Sequence, residues 1–294
     1  MKTVFLFPGQ GSQKAGMGRE LYQASPVVQK IYCQANEILG RDLSRIIFEG
    51  PEEVLTQTEN SQPAIYLTSF ACFVNWKEGK ELPKVAAGHS LGEYTALTAA
   101  GVFSFQDGLL LVSRRAELMA QATREQPGAM AAVLGLDDEK VITACAEVGS
   151  VWPANYNVLG QVVISGEKDA VEQVRQILLQ RHPCKVILLK VSGAFHSPLM
   201  GAARKGFEKI VSACSVQVPI FPVYANVTGR QFSDKDEIKR LLVEGITSPV
   251  LWRQTVEQIW REEKPDSFLE AEPGRVLSGL MKRIVPEANV LNVA

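Results

Sequence analysis

Short apolar runs that suit β-strands alternate along the chain with longer stretches whose apolar positions recur at helical spacing. Thr3 to Phe7 is a β-branched and aromatic run that ends at Pro-Gly, so it predicts a first strand. Ser25 precedes a proline, which is typical of a helix N-terminus, and that helix should continue to about Leu39. Residues 61–76 predict another helix. Strands and helices in this alternation predict a parallel sheet covered on both faces.

From about Met130 the pattern changes to strand, helix, strand, strand, helix, strand. The strand-like runs are AMAAVLGL, residues 151–154, QVVISG and KVILLKV, and the helical runs are residues 138–147 and 168–181. This order is the split arrangement of a ferredoxin-like subdomain. The chain then returns through a helix at 198–211, the strand-like FPVYANVTG, helices flanking a proline, and a last strand near 289–293.

The two patterns together predict an α/β fold in two parts. We expect a large parallel-sheet, α/β hydrolase-like domain formed by residues 1–126 and 197–294, with an inserted ferredoxin-like subdomain at residues 127–196. The length of 294 residues fits one large domain with a smaller insert, since it exceeds one average domain.

The composition and charge of the chain limit the classes of protein to which it can belong. Hydrophobic residues make up 46% and charged residues 21%, which excludes a mainly disordered chain. Thirty-one basic against 32 acidic residues give a net charge of -1, so we expect no general attraction to nucleic acid or membranes. Five scattered cysteines without a C-x-x-C pair predict free thiols. Pro8 interrupts the first apolar run, and no apolar stretch reaches the roughly 18 residues of a membrane span, so we expect a soluble cytoplasmic protein.

The segment Gly88-His89-Ser90-Leu91-Gly92 matches G-x-S-x-G and lies between a small apolar strand and a helix. Flanking glycines allow the sharp turn that exposes a serine hydroxyl, and the N–H of the next residue then faces a developing oxyanion. Ser90 is therefore a candidate nucleophile. A purely structural turn is the alternative.

A nucleophilic serine needs a base, and the chain has only three histidines. His89 adjoins Ser90 and should project away from its hydroxyl, while His182 ends a polar helix and should be solvated. His196 lies just before a helix and at the end of the inserted subdomain, where a loop can reach the sheet edge. It is the candidate base, with an ordinary loop histidine as the alternative.

A helix predicted over residues 105–122 has a cation within its apolar stripe. Arg115 lies at the centre of the stripe formed by Leu111, Val112, Leu118 and Met119. A buried guanidinium is costly unless it is paired, and no acid shares the stripe. Its partner is either a structural carboxylate from elsewhere in the fold or the carboxylate of a bound ligand. Arg114 should be a surface residue.

Cofactor and metal motifs are weak or missing in the sequence. The Gly9-Gln10-Gly11 turn follows a strand like half a dinucleotide fingerprint, but Lys14 replaces its third glycine. The sequence contains no Walker loop, no H-E-x-x-H and no paired-cysteine site. We expect no cofactor and no metal.

Recognisable motifs follow one another along almost the whole chain, at residues 7–13 (FPGQGSQ), 88–94 (GHSLGEY), Arg115, 161–166 (QVVISG) and 193–197 (GAFHS). Together they resemble the malonyl-CoA:acyl carrier protein transacylases, and they also look like the free-standing acyltransferases that serve polyketide synthesis. Leu159 and Glu272 depart from the Pro-Gly-Gln and Gly-Pro-Gly motifs that are usual in this family.

The resemblance implies a role for each matching residue. Ser90 would be the nucleophile, His196 the general base, and Arg115 the partner of the malonyl carboxylate. The backbone N–H groups of Gln10 and Leu91 would form the oxyanion hole, and the backbone carbonyl of Leu251 would orient the histidine.

Phe195 precedes the candidate base. In related acyltransferases an aromatic residue here accompanies malonyl selectivity and a small residue methylmalonyl selectivity, so the resemblance implies that its ring limits branched acyl groups. A plain packing residue is the alternative.

The resemblance implies transfer of a malonyl group from malonyl-CoA to the phosphopantetheine thiol of an acyl carrier protein. The acyl group would pass through Ser90 and supply fatty acid or polyketide synthesis, without nucleic acid or membrane partners. Two rival functions are a serine hydrolase, in which water accepts the acyl group, and a non-catalytic module that binds carrier proteins or acyl-CoA.

Overall fold

The first strand forms the centre of a parallel sheet in the computed structural model, which describes residues 2–191 and 193–293. The sheet order is β7-β2-β1-β8-β9, and every neighbouring pair is parallel. Its strands are β1 Thr3–Phe7, β2 Val85–Gly88, β7 Val223–Tyr224, β8 Ser267–Ala271 and β9 Val290–Val293.

Alternate side chains of β1 enter two different hydrophobic clusters, as the period-two geometry of a strand requires. Phe5 and Phe7 pack into one cluster, and Val4 and Leu6 into the other. Helices cover both faces of the sheet as predicted. They are α1 Arg19–Ala24, α2 Pro26–Leu39, α3 Leu43–Glu49, α4 Glu52–Thr56, α5 Thr58–Lys77, α6 Gly92–Ala99, α7 Phe105–Glu125, α10 Gly201–Ala213, α11 Lys235–Glu244, α12 Trp252–Glu263 and α13 Val276–Ile284.

A second sheet is antiparallel and has the order β4-β5-β3-β6. Its strands are β3 Ala129–Leu134, β4 Val151–Val158, β5 Gln161–Gly166 and β6 Lys185–Leu188, with the helices α8 Asp138–Val148 and α9 Lys168–Arg181 between them. The chain order is therefore β-α-β-β-α-β, and the predicted fold class is confirmed. The boundaries at 126/127 and 196/197 stay a prediction, and Met1, Ser192 and Ala294 within those ranges lie outside the described residues.

The two sheets meet at β4, which is longer than the predicted residues 151–154. The C-terminal half of β4 reaches the loop that follows α11. There the Tyr156 N–H donates to the Val250 carbonyl (2.9 Å), and the Val250 N–H donates to the Ala154 carbonyl (2.9 Å). This contact brings Asn155 of the antiparallel sheet beside the carboxyl ends of β1 and β2, where the candidate site lies.

Several elements differ from the predictions. Helix α5 begins at Thr58, three residues before the predicted start, so Pro63 lies inside it. That proline cannot donate to the Glu59 carbonyl, and the Arg41 guanidinium donates to this carbonyl instead (2.9 Å). FPVYANVTG contains only the two-residue β7, because Ala225 and Arg230 close a turn after it. The short helices α1, α3 and α4 were not predicted. No helix within residues 2–191 and 193–293 is long and apolar enough to cross a bilayer.

Candidate active site

Ser90 occupies a sharp turn between β2 and α6. Its φ is 52°, in the left-handed region that side chains other than glycine rarely adopt. The neighbouring glycines are sterically required, since a Cβ on Gly88 would lie 1.9 Å from the Gly92 carbonyl carbon, and one on Gly92 2.0 Å from the Phe7 oxygen. The predicted elbow is therefore present, and it packs directly against the end of β1.

His196 lies beside this turn, with its Nε2 atom 2.7 Å from Ser90 Oγ. Its Nδ1 atom lies 2.9 Å from the Gly245 carbonyl and 3.1 Å from that of Ser248, so Nδ1 carries the proton and Nε2 presents its lone pair to the serine. Burial, together with the nearby Arg115 and His89, lowers the pKa of His196 to about 3. The imidazole is thus neutral and able to accept a proton.

The assignment of the orienting carbonyl to Leu251 was wrong. The Leu251 carbonyl accepts from the N–H (2.9 Å) and the hydroxyl (2.8 Å) of Thr255, because Leu251 immediately precedes α12 and its carbonyl begins the helical hydrogen bonds. The carbonyls that face the imidazole are those of Ser248 and Gly245, which lie three and six residues before Leu251.

Arg115 on α7 is 2% exposed and lies against the serine. Its Nη1 donates to Gln62 Oε1 (2.6 Å) and its Nη2 to Ser90 Oγ (3.2 Å), and the Tyr94 ring lies 5.2 Å from its Cζ. Its Nε has no acceptor in the described part of the chain, where no carboxylate comes within 4.0 Å of the guanidinium either. No structural ion pair within the described residues therefore balances the charge of Arg115. Arg114, in contrast, is exposed and pairs with Glu117 (2.7 Å).

The backbone N–H groups of Gln10 and Leu91 are both free to donate. Neither has a hydrogen-bond acceptor among residues 2–191 and 193–293, and Leu91 lies at the start of α6, where helical N–H groups have no internal partner. The loop that carries Gln10 packs closely on the serine turn, because a Cβ on Gly9 would lie 2.4 Å from the His89 carbonyl oxygen.

Ser90, His196 and Arg115 line a cavity of about 100 Å³ between the two sheets. Its lining residues are Gln10, Gln62, His89, Ser90, Arg115, Met119, Met130, Asn155, Leu189, Val191, Phe195 and His196. Phe195 is 6% exposed, lines the cavity and also belongs to the hydrophobic core. This position is compatible with both interpretations of Phe195, a packing residue and a ring that limits branched acyl groups. A larger and more open cavity of about 360 Å³ adjoins it and shares Gln10 and Val191.

Other predicted positions lie away from the serine hydroxyl. His89 bonds Asn157 Oδ1 through Nε2 (2.9 Å), which joins the serine turn to β4. His182 follows α9, and Leu159 is 71% exposed in the β4–β5 turn. Glu272 lines neither of the two cavities, and its backbone carbonyl accepts from the Ser69 hydroxyl on α5 (2.5 Å).

Sequence reasoning missed three buried polar residues that support the site. Gln62 contacts Arg115, whereas Glu93 and Asn226 lie beneath the serine turn. Gln62 and Glu93 lie in segments that the sequence singled out, but nothing marked Asn226 beyond its place in a strand-like run. No cluster of three or more His, Cys, Asp or Glu side chains suited to a metal ion occurs in the described residues.

A Ser–His pair at the carboxyl end of a parallel strand is typical of α/β enzymes that carry acyl groups on serine. The sequence matches the family model described as "Acyl transferase domain" over residues 4–293. The malonyl CoA-acyl carrier protein transacylase of Bacillus subtilis is 42% identical over 287 residues, which are 96% of this chain and 90% of that protein.

Two solved structures are similar over almost their whole length. The acyl carrier protein S-malonyltransferase of Vibrio cholerae has a TM-score of 0.95 at 40% identity, with 100% of this chain and 97% of that chain covered. A malonyl-transacylase in complex with a type II PKS acyl-carrier protein has a TM-score of 0.94 at 40% identity, with coverages of 99% and 95%. The chain therefore belongs to the acyl transferase family and, within it, to the malonyl-CoA:acyl carrier protein transacylases.

Proposed function

We propose that this enzyme transfers a malonyl group from malonyl-CoA to the phosphopantetheine thiol of an acyl carrier protein, with Ser90 as the acyl carrier between the two half-reactions. The product would supply extender units for fatty acid or polyketide synthesis. The relatives named for this activity cover nearly the whole chain, which supports the proposed substrates.

The observation that carries the proposal is the unsatisfied guanidinium beside the nucleophile. Arg115 contacts Ser90 Oγ at 3.2 Å and retains a buried Nε without an acceptor in the described residues. In a malonyl ester of Ser90, two carbon atoms separate the carboxylate from the ester oxygen. The carboxylate would therefore lie close to the Arg115 guanidinium. An unpaired buried cation therefore favours an acyl group that carries its own anion.

In the first half-reaction His196 Nε2 takes the proton of Ser90 Oγ as the oxygen attacks the thioester carbonyl. The N–H groups of Gln10 and Leu91 stabilise the resulting oxyanion. Collapse of the tetrahedral intermediate breaks the C–S bond, and the protonated imidazole returns the proton to the CoA thiolate.

In the second half-reaction the carrier thiol gives its proton to His196 Nε2 and its sulfur attacks the acyl-serine. The same N–H groups stabilise the second oxyanion, and the leaving Ser90 oxygen recovers the proton from the imidazole. The larger cavity next to Gln10 is the path we propose for the phosphopantetheine arm. We also propose that the reaction takes place in the cytoplasm without nucleic acid or membrane partners.

Intact-mass spectrometry tests this function directly. The protein is mixed separately with malonyl-CoA, acetyl-CoA and methylmalonyl-CoA, and then with a phosphopantetheinylated carrier protein. We expect a malonyl-sized gain in mass that disappears as the carrier gains it, and no gain in Ser90→Ala. Release of free malonate without carrier acylation would indicate the hydrolase, and no acylation at all would indicate the non-catalytic module.

A further inference from the structure

Asn226 bridges the two sides of the serine turn through its side-chain amide. Its Oδ1 accepts from the backbone N–H of Ser90 (2.6 Å), and its Nδ2 donates to the backbone carbonyl of Gly88 (2.7 Å). These peptide groups flank His89, at the point where the chain turns into the left-handed conformation of Ser90. The amide therefore closes the turn from beneath.

The chemistry of this bridge requires an amide. One peptide group supplies a donor and the other an acceptor, so the bridging side chain must accept at one atom and donate at the next. An aspartate has two acceptors and would face the Gly88 carbonyl with a lone pair. An aliphatic residue offers neither function.

Glu93 sets the orientation of that amide. Its Oε1 accepts from the Asn226 backbone N–H (2.7 Å) and from Asn226 Nδ2 (3.1 Å), and Glu93 is only 4% exposed. The Nδ2 group must therefore point toward Glu93 and Gly88, which leaves Oδ1 for Ser90. Glu93 lies in the first turn of α6, so helix and serine turn share this contact.

The backbone of Asn226 supports the histidine side of the site as well. Its carbonyl accepts from the N–H of Leu251 (2.8 Å), which ends the loop containing Ser248. The Ser248 carbonyl in turn contacts Nδ1 of His196. One residue thus fixes the serine turn through its side chain and the loop beneath the imidazole through its main chain.

We propose that Asn226, oriented by Glu93, is the positioning residue that keeps Ser90 Oγ within reach of His196. The proposal rests on the proposed role of Ser90 as nucleophile. Neither Asn226 nor Glu93 makes a hydrogen bond to the serine hydroxyl or to Arg115 in the described residues, so Asn226 acts through the backbone of the turn. Glu93 acts through Asn226, and the charge of Arg115 also favours its ionised form.

The test separates the rate of acylation from substrate binding. In Asn226→Asp and Asn226→Ala the acylation rate should fall about 10²-fold, because a displaced nucleophile loses its approach geometry. The KM for malonyl-CoA should change little, since Arg115 and the cavity are untouched. Rapid-quench intact-mass measurements give the acylation rate, and steady-state kinetics give KM. A raised KM with an unchanged acylation rate would overturn the proposal.

Variants of Glu93 provide the conservative rescue. Glu93→Gln keeps a carbonyl oxygen that accepts from Asn226, so it should restore most of the acylation rate lost in Glu93→Ala. Thr95→Val is the matched control, because Thr95 is equally buried on α6 and its hydroxyl has no partner in the described residues. Thermal melts identify variants that fail to fold, and the Glu93 pair decides the outcome if Asn226→Ala is among them. Equal losses in Thr95→Val and Glu93→Ala would contradict the proposal.

A fluorophosphonate probe keeps the two proposals distinguishable. It labels an activated serine without a malonyl group, so slow labelling of Asn226→Ala would support the positioning role even if malonyl-CoA were not the substrate. Labelling of Asn226→Ala and Glu93→Ala at the wild-type rate would refute it, even if wild-type protein accepts malonyl groups.

Discussion

At the residue scale, the site combines a neutral histidine with a buried cation. Arg115 and His196 both lie against Ser90 Oγ, so the cation that suits an anionic acyl group also disfavours a protonated imidazole. One arginine therefore affects both substrate choice and the protonation of the base. This arrangement leads to predictions about the pH profile, about stability and about selectivity.

The first concerns pH. Because the pKa of His196 is lowered to about 3, protonation of the histidine should not limit kcat/KM near its ordinary value of about 6.5. Burial raises the pKa of Glu93 to about 7, and an inflection in that region should therefore disappear in Glu93→Gln. A pH profile of kcat/KM for both proteins measures this. An acid limb near pH 6.5 that persists in Glu93→Gln would contradict the expected neutral base.

The same lowered pKa predicts a stability effect of defined sign. The unfolded histidine binds its proton at about pH 6.5 and the folded one only near pH 3, so this group's contribution to stability is complete above the unfolded value. It is lost progressively as the pH falls from about 6.5 toward 3.

The third prediction concerns selectivity. Arg115→Ala should remove most of the preference for malonyl over acetyl groups, because the carboxylate loses its partner and the buried cation is gone. Phe195→Ser should separately improve the use of methylmalonyl-CoA by enlarging the cavity. Competition assays with the three thioesters measure both effects. An Arg115→Ala enzyme with full malonyl preference would show that the arginine is structural.

At the element scale, a strand supplies the cap for a neighbouring helix. Helix α13 has no side-chain cap from its own N-terminal residues, and the buried carboxylate of Glu270 on β8 takes that role. It accepts from the N–H groups of Leu277 (2.9 Å) and Ser278 (2.7 Å) and from the Ser278 hydroxyl (2.5 Å). The carboxylate joins the sheet to the helix that covers one of its faces.

We expect Glu270→Gln to lower the free energy of unfolding by about 1–3 kcal/mol, because charge-assisted hydrogen bonds at a helix N-terminus are lost. Urea denaturation measures the change. Glu287→Gln is the control, since this exposed glutamate should contribute no more than about 0.5 kcal/mol. Equal effects of the two substitutions would rule out the capping role.

At the scale of the whole molecule, a partly buried ion pair joins a helix that covers the parallel sheet to a helix of the antiparallel subdomain. Arg253 on α12 contacts Asp138 on α8 at 2.7 Å, and their side chains are only 15% and 19% exposed. With the backbone hydrogen bonds between β4 and Val250, this pair sets how the small subdomain sits over the serine turn. The cavity depends on that placement because its lining combines residues that follow β1 and β2 with residues of the antiparallel sheet.

A double-mutant cycle of Arg253→Met and Asp138→Asn should give a coupling energy of about 1–2 kcal/mol in urea denaturation. The matched cycle on the exposed pair Arg114 and Glu117 should give about 0.5 kcal/mol or less, because solvent screens it. Comparable coupling in both cycles would show that the inter-sheet pair has no special role.

Local sequence patterns determined the serine turn, the candidate site residues and the order of the elements in the inserted subdomain. The turn at Ser90 follows from glycine spacing between a strand and a helix, which only the neighbouring residues control. The small number of histidines reduced the choice of base to His196, and Arg115 stood out because a helix stripe should be apolar. The β-α-β-β-α-β order was equally readable, since strand and helix periods are properties of short segments.

Tertiary structure decided what depends on contacts between distant segments. The order of strands in the sheets, the length of β4 and the two-residue β7 depend on pairing partners that no local pattern specifies. Asn226 meets Ser90 across 136 positions of sequence, and its amide has a role only once β7 lies beside β2. The choice of Gly245 and Ser248 over Leu251 has the same origin, because every residue carries a carbonyl and only the path of the folded loop decides which ones face the imidazole.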